Sequence, residues 1–226
     1  MLESLRNGLI VSCQAPVGTP LNDPYIISAL ALTAEQNGAV AVRIRQTDQI
    51  AATRLRVKLP IIGLDKIDYA DSPVYLTPTM EDAARIAASG ADIVAVDATL
   101  RPRPRSEKLD ALLRYVRETL GKPVMADVAT FEEGVYAAEC GAEVVATTLC
   151  GYTAESAGAM LPALNLVERL AKRLSVPVIC EGGVSSPAQV KAAFEAGAFA
   201  IVVGGAITGV DKLVQQFVAA THQKQN

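Results

Sequence analysis

Two short phrases alternate along this chain, and that alternation restricts its possible folds more than any other feature. The first is a Gly-Ala step running into an apolar stretch: Gly38-Ala-Val-Ala-Val-Arg-Ile44, Gly90-Ala-Asp-Ile-Val-Ala-Val-Asp97, Gly141-Ala-Glu-Val-Val-Ala-Thr-Thr148 and Gly197-Ala-Phe-Ala-Ile-Val-Val-Gly204. The glycine reads as the end of a helix and the stretch as a strand. The second phrase opens on proline: Leu59-Pro-Ile-Ile-Gly-Leu64, Lys122-Pro-Val-Met-Ala-Asp127 and Val176-Pro-Val-Ile-Cys-Glu181. Proline has no N–H to give a ladder, so it is tolerated where a strand begins. With Leu9–Cys13 these stretches make eight strands, each followed by room for a helix, in units of about 28 residues. The rhythm predicts one α/β domain over residues 1–226, a (β/α)8 TIM barrel.

The expected strands are 9–13, 39–44, 61–64, 93–96, 124–126, 144–147, 176–180 and 199–203, with a short extra strand at 74–76. Helix starts are written as Asn22-Asp23-Pro24, Thr77-Pro78-Thr79 and Ser185-Ser186-Pro187, each a polar cap beside a proline. A helix is expected from about Glu107 to Leu120, stopped by Gly121, and a last one from about Asp211 to Ala220.

Composition narrows the chemistry. Half of the 226 residues are apolar, which suits a parallel sheet buried on both faces. The net charge is −3, and the one basic run, Arg101-Pro-Arg-Pro-Arg105, reads as a solvated loop, so no nucleic-acid partner is expected. Cys13, Cys140, Cys150 and Cys180 lack metal or disulfide spacing and sit in or beside apolar runs, where a thiol acts as a small hydrophobe. No stretch reads as a signal peptide or membrane span, so a soluble, cytoplasmic protein with no membrane partner is expected. The single histidine, His222, lies in a polar tail. Acid–base work therefore falls to Lys, Asp, Glu or Tyr, and no histidine-ligated metal is expected.

The two strands nearest the C-terminus both end in Gly-Gly, at Gly182-Gly183 and Gly204-Gly205. Bare backbone N–H groups at such turns, next to helix starts, make an anion cradle, and barrels of the ribulose-phosphate-binding type hold phosphate after their seventh and eighth strands. Polar residues stand at the C-terminal ends of the other strands too: Gln14, Arg43, Lys66, Asp97, Asp127 and Thr148, with Glu181 before the first Gly-Gly. In a barrel these converge on one mouth. Tyr152 follows in the loop after Thr148.

Taken in order, Ile61-Ile-Gly-Leu-Asp-Lys-Ile-Asp-Tyr69, Val74-Tyr-Leu-Thr-Pro-Thr79, Ile93-Val-Ala-Val-Asp-Ala-Thr99, Met125-Ala-Asp127, Cys180-Glu-Gly-Gly183 and Val203-Gly-Gly-Ala-Ile-Thr208 resemble the N-acetylmannosamine-6-phosphate 2-epimerase family. The resemblance spans nearly the whole chain. It implies interconversion of N-acetylmannosamine 6-phosphate and N-acetylglucosamine 6-phosphate in sialic acid catabolism, with no cofactor or metal, and a homodimer. By position it implies Lys66 and Glu181 as catalytic residues, Gln14, Arg43 and Asp127 as substrate-binding residues, and Gly182, Gly183, Gly204 and Gly205 as the phosphate loops. Thr148 and Tyr152 join the substrate side by their place at the mouth. Two positions depart from the family pattern: Gly209 stands where a basic residue is usual, and Asp65 where an apolar one is. Asp65 is expected to face away from the pocket of Lys66, since neighbours in a strand point to opposite faces.

The chemistry also follows from the residues. Inverting C2 of an aldose needs a base near neutrality, and a lysine desolvated beside Arg43 has its pKa lowered toward that range. Glu181 suits either ring opening or proton transfer on the opposite face. Three other readings stay open: another phosphate-binding barrel isomerase or synthase, a flavin-dependent barrel oxidoreductase, and a sugar-phosphate-binding protein without turnover.

Overall fold

In a computed structural model, described for residues 1–221, eight parallel strands close into a barrel in sequential order β1 to β8. They are β1 (Leu9–Cys13), β2 (Ala41–Arg45), β3 (Ile61–Leu64), β4 (Ile93–Asp97), β5 (Val124–Asp127), β6 (Val144–Ala146), β7 (Val178–Cys180) and β8 (Ala200–Val203). The helices are α1 (Pro24–Gln36), α2 (Thr47–Arg54), α3 (Met80–Ala88), α4 (Leu109–Arg114), α5 (Phe131–Glu139), α6 (Leu164–Arg173), α7 (Pro187–Glu195), α8 (Gly205–Thr208) and α9 (Val210–Thr221). No helix among the described residues is long and apolar enough to cross a membrane.

The expected caps form. Asp23 accepts the N–H groups of Tyr25 and Ile26, Thr79 exchanges bonds with Asp82 in a capping box, and Ser186 accepts from Gln189. Each proline phrase works by its carbonyl: Pro60, Pro123 and Pro177 accept from Val42, Val94 and Val145 on the neighbouring strand. Strands β2, β7 and β8 begin one or two residues later than expected, because their first apolar residues belong to the turns leading in. The extra strand at 74–76 is a single antiparallel bridge, Lys66 to Leu76. The helix expected over 107–120 is α4 closing in a π-helical turn, Tyr115–Thr119, before Gly121 at φ +63°.

Two apolar clusters hold the barrel. One lies between strands and helices and includes Val11, Val42, Val94, Val124 and Ile201. The other fills the interior with Ile10, Ala41, Ile62, Leu64, Ile93, Ala95, Met125, Val144, Ala146, Ile179, Ala200 and Val202. Members of the two sets alternate along each strand, as period-2 geometry requires. Two residues beyond an interior apolar residue, the next inward position lies at the mouth: Ser12 after Ile10, Arg43 after Ala41, Lys66 after Leu64, Asp97 after Ala95, Asp127 after Met125, Thr148 after Ala146 and Glu181 after Ile179.

The basic run is not the solvated loop expected. Arg101 pairs with Asp97 at 2.7 Å, and Arg103 is buried, donating to the carbonyls of Asp97 (2.6 Å) and Pro78 (3.3 Å). Both turn back because the buried end of β4 needs donors. Only Arg105 faces outward, toward Glu81. His222 lies outside the described residues.

Candidate active site

The mouth of the barrel opens into a cavity of about 680 Å³. Of the residues expected there, Gln14, Arg43, Lys66, Thr148, Tyr152, Glu181, Gly182, Gly183, Gly204 and Gly205 line it. Asp127 does not line it. It is fully buried behind Arg43, and accepts from Arg43 at 2.6 and 3.2 Å and from the Thr148 hydroxyl at 2.5 Å. Asp127 is expected on the substrate side; its carboxylate instead faces Arg43 and Thr148 behind the cavity wall. Asp97 also stands back, held by Arg101 and Thr99. Parallel register sets Asp97 beside Asp127, so each buried carboxylate needs its own arginine.

Arg43 is the centre of this arrangement. It is 1% exposed, meets Asp127 through both terminal nitrogens, and pairs with Glu181 through Nη1. Burial opposes its charge, but the two carboxylates offset that and push its pKa above the ordinary value. The carboxylates share one guanidinium. Burial raises the Glu181 pKa against the pull of Arg43, and the nearby Asp127 charge raises it further. Lys66 moves the other way: burial first, then the charges of Arg43 and Arg45, hold its amine below the usual lysine range. One cavity thus holds a lysine whose pKa is lowered and a carboxyl whose pKa is raised, two groups whose surroundings push them in opposite directions.

The Gly-Gly turns after β7 and β8 differ in cause. Gly182 and Gly183 take φ of +107° and +71°, and a β-carbon on Gly183 would lie 2.4 Å from that of Leu161. Gly205 has open space where a side chain would be. The N–H groups of Gly183, Gly205 and Ala206 find no acceptor among the described residues. Thr208 anchors the second turn by donating to the Ser12 carbonyl at 2.8 Å. Gly209 cannot simply receive the usual basic side chain, because its β-carbon would meet the Gly205 carbonyl oxygen at 2.6 Å. Lys212, one turn into α9, reaches the same cavity from another backbone position.

Sequence reasoning missed Ser12, Arg45, Tyr75 and Lys212 as lining residues. The signal for Arg45 was present, two residues beyond Arg43. Tyr75 and Lys212 depend on how a loop and the last helix fold back, which strand periodicity does not report.

No group of three or more metal-ligating side chains occurs among the described residues. Cys13 and Cys180 are buried, with thiols pushed up to about 12 and about 11 by desolvation, which marks them as packing residues.

Fold and site together define a (β/α)8 barrel whose mouth cavity gathers a lysine, a glutamate and unpaired backbone N–H groups after β7 and β8. Comparison with known proteins narrows this class. Residues 27–223 match a family model described as "Putative N-acetylmannosamine-6-phosphate epimerase". A protein of Synechococcus elongatus carrying that 2-epimerase name is 48% identical over 99% of this chain and 97% of its own length. One from Thermosynechococcus vestitus is 50% identical over 96% and 94%. The solved N-acetylmannosamine-6-phosphate 2-epimerase of Clostridium perfringens superposes with a TM-score of 0.93 at 38% identity, covering 97% of this chain and 95% of that one. The chain belongs to the N-acetylmannosamine-6-phosphate 2-epimerase family.

Proposed function

We propose that the protein interconverts N-acetylmannosamine 6-phosphate and N-acetylglucosamine 6-phosphate, as part of sialic acid and amino sugar catabolism. The observation that carries this reading is geometric: Lys66 and Glu181 line one cavity beside the free backbone N–H groups of the turns after β7 and β8. The phosphate sits against the N–H groups of Gly183, Gly205 and Ala206, which places the sugar chain across the mouth. Neutral Lys66 removes the C2 proton of the open-chain sugar. The resulting negative charge gathers on O1, near the Gln14 amide and the new Lys66 ammonium. Glu181 takes up a proton from solvent and passes it to the opposite face of C2, while the Lys66 ammonium returns its own proton to solvent. Arg43 keeps its terminal nitrogens on Asp127, Thr148 and Glu181, so its part is to hold the acid in place. Thr148 and Tyr152 border the sugar, Tyr152 from the exposed rim.

Conversion in heavy water tests the route. The amine and carboxyl exchange with solvent, so each product molecule should carry deuterium at C2, read by NMR at early conversion. Product without label at C2 would rule out proton transfer in favour of a hydride or retro-aldol path.

The homodimer belongs to the same proposal. No residue of α9 is buried, and Val214, Phe217 and Val218 stand exposed at 54%, 75% and 48%. Together with Ile207 and Val210 they form an apolar face of the kind that marks self-association. Sedimentation should give a dimer at micromolar concentration, and Phe217→Glu should give a monomer. A wild-type monomer there would overturn it.

A further inference from the structure

Lys66 stands two residues beyond the end of β3, so the barrel ladder no longer holds its backbone. The bridge to Leu76 does not hold it either. Its hydrogen bonds run from Ile67 N–H to Tyr75 and from Thr77 N–H to Asp65, which leaves the N–H and carbonyl of Lys66 itself unused. Two side chains take them. Asp65 Oδ1 accepts the Lys66 N–H at 2.8 Å, and Arg45 Nη2 donates to the Lys66 carbonyl at 2.9 Å. Arg45 and Asp65 also pair with each other at 3.6 Å, with side chains only 17% and 21% exposed. Arg45 comes from β2 by the same inward step that places Arg43, and it borders the cavity. Asp65 is where the chain departs from the apolar residue expected before the lysine.

We propose that Arg45 and Asp65 form a positioning pair that clamps both backbone polar groups of Lys66 and sets the charge around its amine. The inference rests on the reading of Lys66 as the base. Four charged groups act on that amine, Arg43 and Arg45 from β2, Asp127 from β5 and Glu181 from the end of β7, and Tyr75, Tyr152, Asp211 and Lys212 line the rest of the same cavity. Of these, Arg45 is the cation attached to the lysine's own backbone. Its charge, after burial and Arg43, lowers the lysine's proton affinity.

The test titrates the Lys66 amine directly in the intact protein. The rate of its acylation is followed against pH by peptide mass spectrometry, with the exposed lysines Lys108 and Lys172 as internal controls. In wild type the midpoint for Lys66 should fall below the ordinary 10.5. Arg45→Gln should move it up, while Arg45→Lys, which keeps the charge, should leave it in place. At neutral pH the kcat/KM of Arg45→Gln should fall about tenfold for each unit the midpoint rises, and recover as the pH is raised. Arg45→Lys should lose kcat with KM held, because one compact ammonium with a shorter reach cannot replace the guanidinium that spans the Lys66 carbonyl and Asp65. An unmoved Lys66 midpoint in Arg45→Gln, or a loss that raised pH does not restore, overturns the proposal. If Arg45→Gln does not fold, Asp65→Ala decides: faster hydrogen exchange at the Lys66 backbone amide with kcat lowered and KM held supports the pair, and an unmoved exchange rate sinks it. Near-normal turnover in Lys66→Ala would reject the base reading, while the amine titration of the intact protein would still measure the pair.

Discussion

Replacing Lys66 with alanine should reduce turnover by about 10²–10⁴-fold, the usual worth of a positioned general base. Binding of the sugar phosphate should survive, because the free N–H groups after β7 and β8 lie on other strands and do not involve this side chain. Steady-state kinetics and calorimetric binding on the same preparation separate the two effects. Exchange of the C2 proton into heavy water should fall in step with turnover. In wild type, activity on the acid side should rise with pH as the Lys66 ammonium gives up its proton, and burial with the charges of Arg43 and Arg45 places that rise below the ordinary lysine range. Near-normal turnover in Lys66→Ala would remove this lysine from the chemistry.

The second large effect is on stability. Arg43→Met removes the cation shared by two carboxylates, one fully buried and one 13% exposed. Breaking a buried pair from one side costs about 3–5 kcal/mol, because an uncompensated charge stays behind. Denaturant unfolding should show that loss, and turnover should be abolished as Glu181 loses its anchor. The sign of the pH dependence follows from linkage. Without Arg43 both carboxyl pKa values rise further above their unfolded values, so the native state binds more protons and stability falls as pH rises. The deficit against wild type should therefore shrink toward acid, as Asp127 and Glu181 become neutral, and widen toward alkaline pH. A loss below about 1 kcal/mol, the size of a surface pair, would show that Arg43 does not carry this cluster.

Much of this site is legible in the amino-acid sequence. The step of two along each strand places Arg43, Lys66, Thr148 and Glu181 inward, because each follows an interior apolar residue by one period. Asp65 is out of phase with them, and it serves the backbone of Lys66 instead of the cavity. The same periodicity puts Asp97 and Asp127 inward too, and there it stops being informative. Whether an inward carboxylate meets substrate or is sealed by protein depends on a side chain from elsewhere: Arg101 from the following loop for Asp97, and Arg43 from three strands away for Asp127. The basic run shows the same limit, since nothing local marks Arg103 as buried while Arg105 faces water.

What the chain decides locally is the order of its elements, their caps, the inward or outward sense of each strand residue and the glycines whose turns need φ above zero. These follow from sterics and hydrogen bonding over a few residues. What only the closed barrel decides is pairing across distance. It brings Arg43 to Asp127, 84 positions away, and to Glu181, 138 away, and it sets Arg45 against the carbonyl of Lys66. It also leaves one face of α9 without cover. The acid–base character of Lys66 and Glu181 belongs to this second group. A pKa shift arises from burial and from neighbouring charges, and both are properties of the assembled mouth and not of any one strand.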